Sequence, residues 1–270
     1  MQSIGIIDSG VGGLTIVKEM LSRLPNESII YIGDGKRCPY GPRPPAEVRE
    51  YTLEMATALS KMGIKMLVIA CNTATAIALD DIRNLFDFPV IGVITPGARA
   101  AVSATKTGKI AVLGTTGTVK SGAYVKEIDN LISNATVLSL ACPEFVTIVE
   151  SGQYKSENAS EVVKRTVDKI ANEDFDAAIL GCTHFPLLEN HIQTHLSDHV
   201  KIISSAVETV RDVEQTLIIN GVRNLSRKCF EPVFYTTGAP ESFRTIVSDW
   251  LAIKEPNVTC IELGITQNVE

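Results

Sequence analysis

Two cysteines stand in settings that suit thiol chemistry. Cys71 follows the apolar run Leu67-Val68-Ile69-Ala70 and is followed by Asn72 and Thr73. Cys182 follows Ala178-Ile179-Leu180-Gly181 and is followed by Thr183 and His184. In each case a strand-like run ends at the thiol, and polar residues suited to opening a helix come next. A helix N-terminus favours the thiolate over the thiol, from an ordinary pKa of ~8.5. Asn72, Thr73 and Thr183 offer donors to a carboxylate beside the sulfur, and His184 can polarise or protonate a thiolate. A strand-end cysteine taken singly is more often buried packing. The matched polar followers argue for a pair that acts as acid and base. One of them acting as an acyl-transfer nucleophile with His184 is the competing chemistry.

Other candidates cluster after strands. Asp8-Ser9-Gly10-Val11-Gly12-Gly13 lacks the third glycine of a dinucleotide fingerprint, because position 15 is Thr15, and it lacks the Walker lysine. The glycines are expected to let the backbone turn tightly and approach a ligand. Asp8 is suited to hold an ammonium or hydrogen-bond a thiol, with helix capping by Asp8 and Ser9 as the alternative. Pro39-Tyr40-Gly41-Pro42 reads as a rigid turn whose free N–H groups could hold a carboxylate, or whose Tyr40 simply covers the core. Thr115 and Thr116 end another strand. Ligands of parallel sheets bind at such carboxyl ends. Cys142 precedes Pro143 without polar followers and reads as structural. His191, His195 and His199 recur every four residues on one predicted helical segment, but no further ligand is suitably spaced. A solvated helix face is the expectation, and no metal or cofactor is expected.

These residues need a frame. Short β-branched runs alternate with helix-period segments throughout. Strands are predicted over Ile4–Asp8, Ser28–Ile32, Lys65–Ala70, Pro89–Ile94, Lys109–Leu113, Thr136–Leu140, Asp176–Leu180, Lys201–Ile203, Val233–Thr236 and Val258–Glu262. Helices are predicted over Leu14–Leu24, stopped by Pro25, and Ala46–Met62, stopped by Gly63. Apolar strands alternating with helices imply α/β architecture with mainly parallel sheets covered on both faces. The chain also looks duplicated. Ile4–Gly10 is echoed 106 positions later by Ile110–Thr116, and Leu67–Thr73 is echoed 111 positions later by Ala178–His184. Two similar α/β halves would set equivalent strand ends on opposite walls of one cleft.

Bulk properties narrow the partners. The 270 residues carry a formal net charge of −6, so no basic stripe invites nucleic acid or anionic membrane. No charged leader precedes Ile4, and the most apolar stretch, Met66–Leu79, is broken by Asn72, Thr73 and Thr75. A cytoplasmic protein is expected, with its six cysteines reduced. A small molecule is the expected partner.

Taken together, the motifs resemble the glutamate racemases. The resemblance runs from Ile4 to Gly238 and rests on five segments. They are Gly5–Leu14, Pro39–Gly41, Ala70–Ala74, Cys142–Val146 with Val149-Glu150, and Gly181–Leu188. It implies two α/β domains, residues 1–95 plus 208–270 and residues 96–207, with the active site in the cleft between them. It implies cofactor-independent proton transfer between L- and D-glutamate, supplying D-glutamate for peptidoglycan. Cys71 would act on the D-isomer and Cys182 on the L-isomer, with Asp8, His184 and Glu150 assisting. Asp8, Ser9, Pro39, Tyr40, Gly41, Asn72, Thr73, Thr115, Thr116, Thr183 and His184 would contact substrate. Thr95 and Ser204-Ser205 depart from the family pattern, away from the cysteine motifs. Some members carry an N-terminal extension tied to activation by a cell-wall precursor; none is seen here, and no such activation is expected. The oligomeric state is not readable from sequence, and a homodimer is allowed.

Overall fold

A computed structural model of the chain describes residues 2–226 and 228–264. Strands β1 to β5 span Ile4–Asp8, Ile29–Gly33, Met66–Ile69, Val90–Gly92 and Lys109–Gly114. Strands β6 to β10 span Thr136–Ala141, Ala177–Gly181, Lys201–Ser204, Val233–Thr236 and Asn257–Cys260. All ten predicted strands are thus found, most with ends shifted by one or two residues. Helices α1 to α6 span Leu14–Arg23, Pro45–Lys61, Asn72–Leu85, Ile94–Ala104, Thr116–Ser121 and Ala123–Leu131. Helices α7 to α11 span Pro143–Glu150, Glu157–Val167, Glu189–Thr194, Ala206–Ile219 and Pro240–Leu251, and a 3-10 turn covers Phe185–Leu188. Gly63, at φ +77°, supplies the left-handed residue that takes the chain out of α2 towards β3.

The strands form two sheets. One has the order β10-β9-β2-β1-β3-β4 and the other β6-β5-β7-β8. Every pairing is parallel. Without β9 and β10 the first sheet reads β2-β1-β3-β4, the same order as the second. The register repeats too: Ile7 pairs with Ile69, and Leu113 pairs with Leu180. The offsets of 106 and 111 residues carry the first pair onto the second, so the sequence echo is an echo of strand pairing.

Each sheet buries both faces, as its continuous apolar strands require. Ile4, Ile6, Met66 and Val68 point into one core with α1 and α11, while Ile7, Leu67 and Ile69 point into another with α2 and α3. In the second sheet Ala111, Leu113 and Leu180 face α7 and α8, and Ile110, Val112 and Ile179 face α4 and α6. Helix α10 follows β8 of the second sheet in the chain. It nonetheless buries Ala206, Val210, Val213 and Leu217, a single helical stripe, in the core of the first.

Candidate active site

The carboxyl ends of β1, β3, β5 and β7 converge on a narrow, largely enclosed cavity of about 10 Å³. From the first sheet and its loops it is lined by Ser9, Pro39, Tyr40, Gly41, Cys71, Asn72 and Thr73. From the second it is lined by Thr115, Val146, Cys182, Thr183 and His184. Asp8 and Glu150 stand just behind. Thr116, one residue beyond the end of the lining, opens α5 and is not part of the wall. A second, more open groove runs past Thr15, Lys18, Tyr154 and Trp250, but it holds neither cysteine.

The two thiols are held differently. Cys71 caps α3, and its Sγ accepts the Ala74 N–H at 3.5 Å. Burial pushes this thiol up to about 12, with the Asp8 carboxylate adding to the rise and the Ala74 N–H and Ser9 hydroxyl opposing it. The helix terminus therefore does not yield a thiolate in the closed cavity, because desolvation outweighs it. Cys182 does not open an α-helix. It leads through Thr183 and His184 into the 3-10 turn, and its Sγ lies 3.6 Å from His184 Nδ1.

Behind Cys182 runs a relay. His184 Nε2 and Glu150 Oε1 are 2.5 Å apart, and the Val11 N–H donates to the same oxygen at 3.0 Å. Burial alone would drive the imidazole towards neutrality, but its bonds to Cys182 and Glu150 win and hold it well above its ordinary value. Burial likewise opposes the Glu150 charge, yet the bond to His184 keeps its carboxyl below the usual range. Asp8 is raised by burial. It accepts the Gly10 N–H at 3.1 Å and the Thr183 hydroxyl at 3.2 Å.

Contacts across the cavity join the halves. Thr73 and Thr115 share a hydrogen bond of 2.8 Å, and Thr118 closes a triangle of hydroxyls with both. Tyr124 donates its hydroxyl to Asn72 Oδ1 at 2.7 Å, which leaves Asn72 Nδ2 buried with no partner. That amide is a donor waiting for an acceptor inside the cavity. The Gly117 N–H donates to the Gly41 carbonyl at 2.8 Å.

The glycine loop lies against the second half of the chain. A Cβ at Gly12 would sit 2.4 Å from Thr183 Oγ1 and 2.5 Å from His184 Nδ1. The loop is bare so that the second half can approach it. Tyr40 is buried, and its hydroxyl bonds Asp34, which Arg37 and Thr237 also grip. Cys142 is fully buried in core, as expected. The histidine helix is a correction: α9 stops at Thr194, so His195 caps it and His199 lies in the turn beyond. His191 instead bonds the Tyr154 carbonyl at 3.1 Å.

Sequence reasoning missed Val146, Thr118, Tyr124 and Asp34. Val146 sat inside a quoted motif, but the others act through contacts between distant segments.

The Asp/Glu/Hydantoin racemase family model matches residues 4–213. A glutamate racemase of Lysinibacillus sphaericus is 51% identical over 248 residues, covering 92% of this chain and 94% of that protein. The crystal structure of a glutamate racemase isoform from Bacillus anthracis matches with a TM-score of 0.93 and 44% identity, covering 97% of both chains. That of the Francisella tularensis glutamate racemase in complex with D-glutamate matches with a TM-score of 0.89 and 34% identity, again covering 97% of both. With paired strand-end cysteines and matches of this extent, the chain belongs to the Asp/Glu/Hydantoin racemase family of isomerases, among its glutamate racemases.

Proposed function

We propose that this enzyme interconverts L- and D-glutamate by passing the α-proton between two thiols, without a cofactor. The observation that carries the reading is that Cys71 and Cys182 line one enclosed cavity from equivalent strand ends of two matching halves. Inversion needs removal of the proton from one face and delivery to the other, and a single base would return it where it came from. Cys71 as thiolate takes the α-proton of D-glutamate and becomes the thiol. Cys182 gives its proton to the opposite face and becomes the thiolate. The L-isomer runs the same steps in reverse.

Asn72 Nδ2 and the hydroxyls of Thr73 and Thr183 bind the α-carboxylate and stabilise the charge that develops at Cα. Asp8 offers its carboxylate to the substrate ammonium. The Pro39-Tyr40-Gly41 turn receives the side-chain carboxylate, with Ser9 and Thr115 completing the walls. His184, backed by Glu150, steadies the Cys182 thiolate.

The Francisella relative's complex with D-glutamate favours glutamate as substrate. The His184–Cys182 contact also suits acyl transfer, but that chemistry gives Cys71 no task. Following L-glutamate in D₂O separates the readings: optical rotation should decay while an α-deuteron appears. Unchanged rotation, or a trappable thioester with Cys71 dispensable, overturns the proposal. L-aspartate offered in competition should be turned over far more slowly.

The proposal extends to D-glutamate supply for peptidoglycan and to a cytoplasmic location. No helix among the described residues is long and apolar enough to cross a membrane, and all six cysteines are free. The two-domain division, 1–95 with 208–270 and 96–207, is supported by the return of β9 and β10 to the first sheet. A homodimer is included, with sedimentation velocity as its test.

A further inference from the structure

Cys38 is a half-buried thiol that racemisation leaves without a task. Its Sγ lies 3.5 Å from Glu150 Oε1, the same oxygen that meets His184 Nε2 at 2.5 Å. Sulfur, oxygen and nitrogen lie within 4.8 Å of one another, the one such cluster among the described residues. We propose that Cys38, Glu150 and His184 form an inhibitory site for a thiophilic divalent cation, zinc above all.

The donor set is that of a three-ligand zinc site with an open fourth position. Bonds of ~2.3 Å to sulfur and ~2.0 Å to oxygen and nitrogen, set tetrahedrally, place sulfur and oxygen ~3.5 Å apart and nitrogen and oxygen ~3.3 Å apart. The Cys38–Glu150 separation already has that value. The imidazole and carboxylate need only part by about 0.8 Å, a rotation of the Glu150 side chain. Outer support is in place, since the Val11 N–H holds Glu150 Oε1 at 3.0 Å.

Gly10 leaves the room. A Cβ there would stand 2.1 Å from Glu150 Oε1 and 3.1 Å from Cys38 Sγ. The charge balance also calls for a cation. Asp8 and Glu150 both press on Cys38, and His184 is the only basic group in the cluster. A quarter of the Glu150 side chain is exposed, which gives an ion an approach to the cluster from solvent.

Binding exchanges the Cys38 thiol proton for the metal and releases that proton, with any on His184, to the buffer. Coordination through Nε2 replaces the His184–Glu150 hydrogen bond with bonds to the ion and fixes the imidazole as a neutral ligand, so it no longer meets the Cys182 thiolate as a cation. Both directions of racemisation stop, because each turnover changes the protonation of Cys182. This effect on turnover rests on the proposed reaction, whereas the binding does not.

The test uses chelator-dialysed enzyme titrated with Zn²⁺ for inhibition and with Co²⁺ for thiolate-to-metal charge-transfer absorption. Wild type should be inhibited at one zinc per chain, and cobalt should produce the thiolate band. Cys38→Ser and Cys38→Ala should keep basal racemisation, lose the band and need at least 10- to 100-fold more zinc. The Cys71→Ser/Cys182→Ser double variant should keep the band. A zinc sensitivity unchanged in both Cys38 variants, or a band lost only in the double variant, would mean that the ion bridges the cavity thiols and would overturn the proposal. The cobalt band is read without activity, so failure of the metal site and failure of the racemase reading are told apart.

Discussion

The two halves of the molecule share strand order and register but manage their cysteines by opposite means. In the first half Cys71 sits on a 14-residue helix, and its neighbours are a backbone N–H and the Ser9 hydroxyl. In the second half the chain after Cys182 makes a four-residue 3-10 turn, which brings His184 back onto the sulfur with Glu150 behind it. One thiol meets fixed dipoles, the other a titratable side chain. A duplicated frame thus sets two thiols at equivalent strand ends, as the proposed inversion needs, while local departures from the repeat give each its own surroundings.

That contrast can be broken outright. Cys71→Ser or Cys182→Ser should each lower racemisation in both directions by about 10³-fold or more, read by circular dichroism. Full activity in either variant would end the two-base description. A finer probe is His184→Asn, expected to lower kcat by about 10²-fold because one positioned acid/base is lost. The step at Cys182 then limits turnover, so α-deuterated L-glutamate should show a larger primary isotope effect than α-deuterated D-glutamate. Equal effects would mean that His184 serves both thiols alike.

Smaller still is Tyr124→Phe, which frees the Asn72 amide to flip. KM should rise about 3- to 10-fold with kcat little changed, the cost of one misdirected hydrogen bond. The smallest effect concerns stability. Glu150 lies below its ordinary value and His184 well above its own. The carboxylate's contribution is in force above its unfolded pKa of ~4.3 and is lost as pH falls through the folded value. The imidazolium's is in force below ~6.5 and is lost as pH rises through its folded value. The Tm gap between wild type and Glu150→Gln should therefore be widest between about pH 4.5 and 6.5. A gap that grows above pH 8 would show that the pair is not ionic.

Much of this was legible before any coordinates. Apolar runs such as Leu67–Ala70 are unambiguous because parallel strands bury both faces, and the echo between the cysteine motifs reports a real repeat of register. Most cavity residues lie just past a strand end, where such a sheet presents its ligand site. What stayed hidden depends on contacts between segments far apart in sequence. Tyr124 lies 52 positions from Asn72, and Cys38 lies 112 from Glu150. The histidine repeat misled because a spacing of four is helical only while the helix lasts, and α9 has six residues. The dipole at Cys71 misled because sequence carries no measure of desolvation.

The closed cavity sets a rhythm for turnover. A space of about 10 Å³ walled on both sides admits no glutamate unless the halves part. Across that seam stand the Gly117–Gly41 backbone bond, the threonine hydroxyls and the Tyr124–Asn72 pair. Water can replace each of these partners at little net cost, whereas no solvent could replace interlocked leucines. If these exchangeable bonds part first, passage of glutamate in and out should slow in a viscous medium, and a kcat that ignores added viscogen would end that reading.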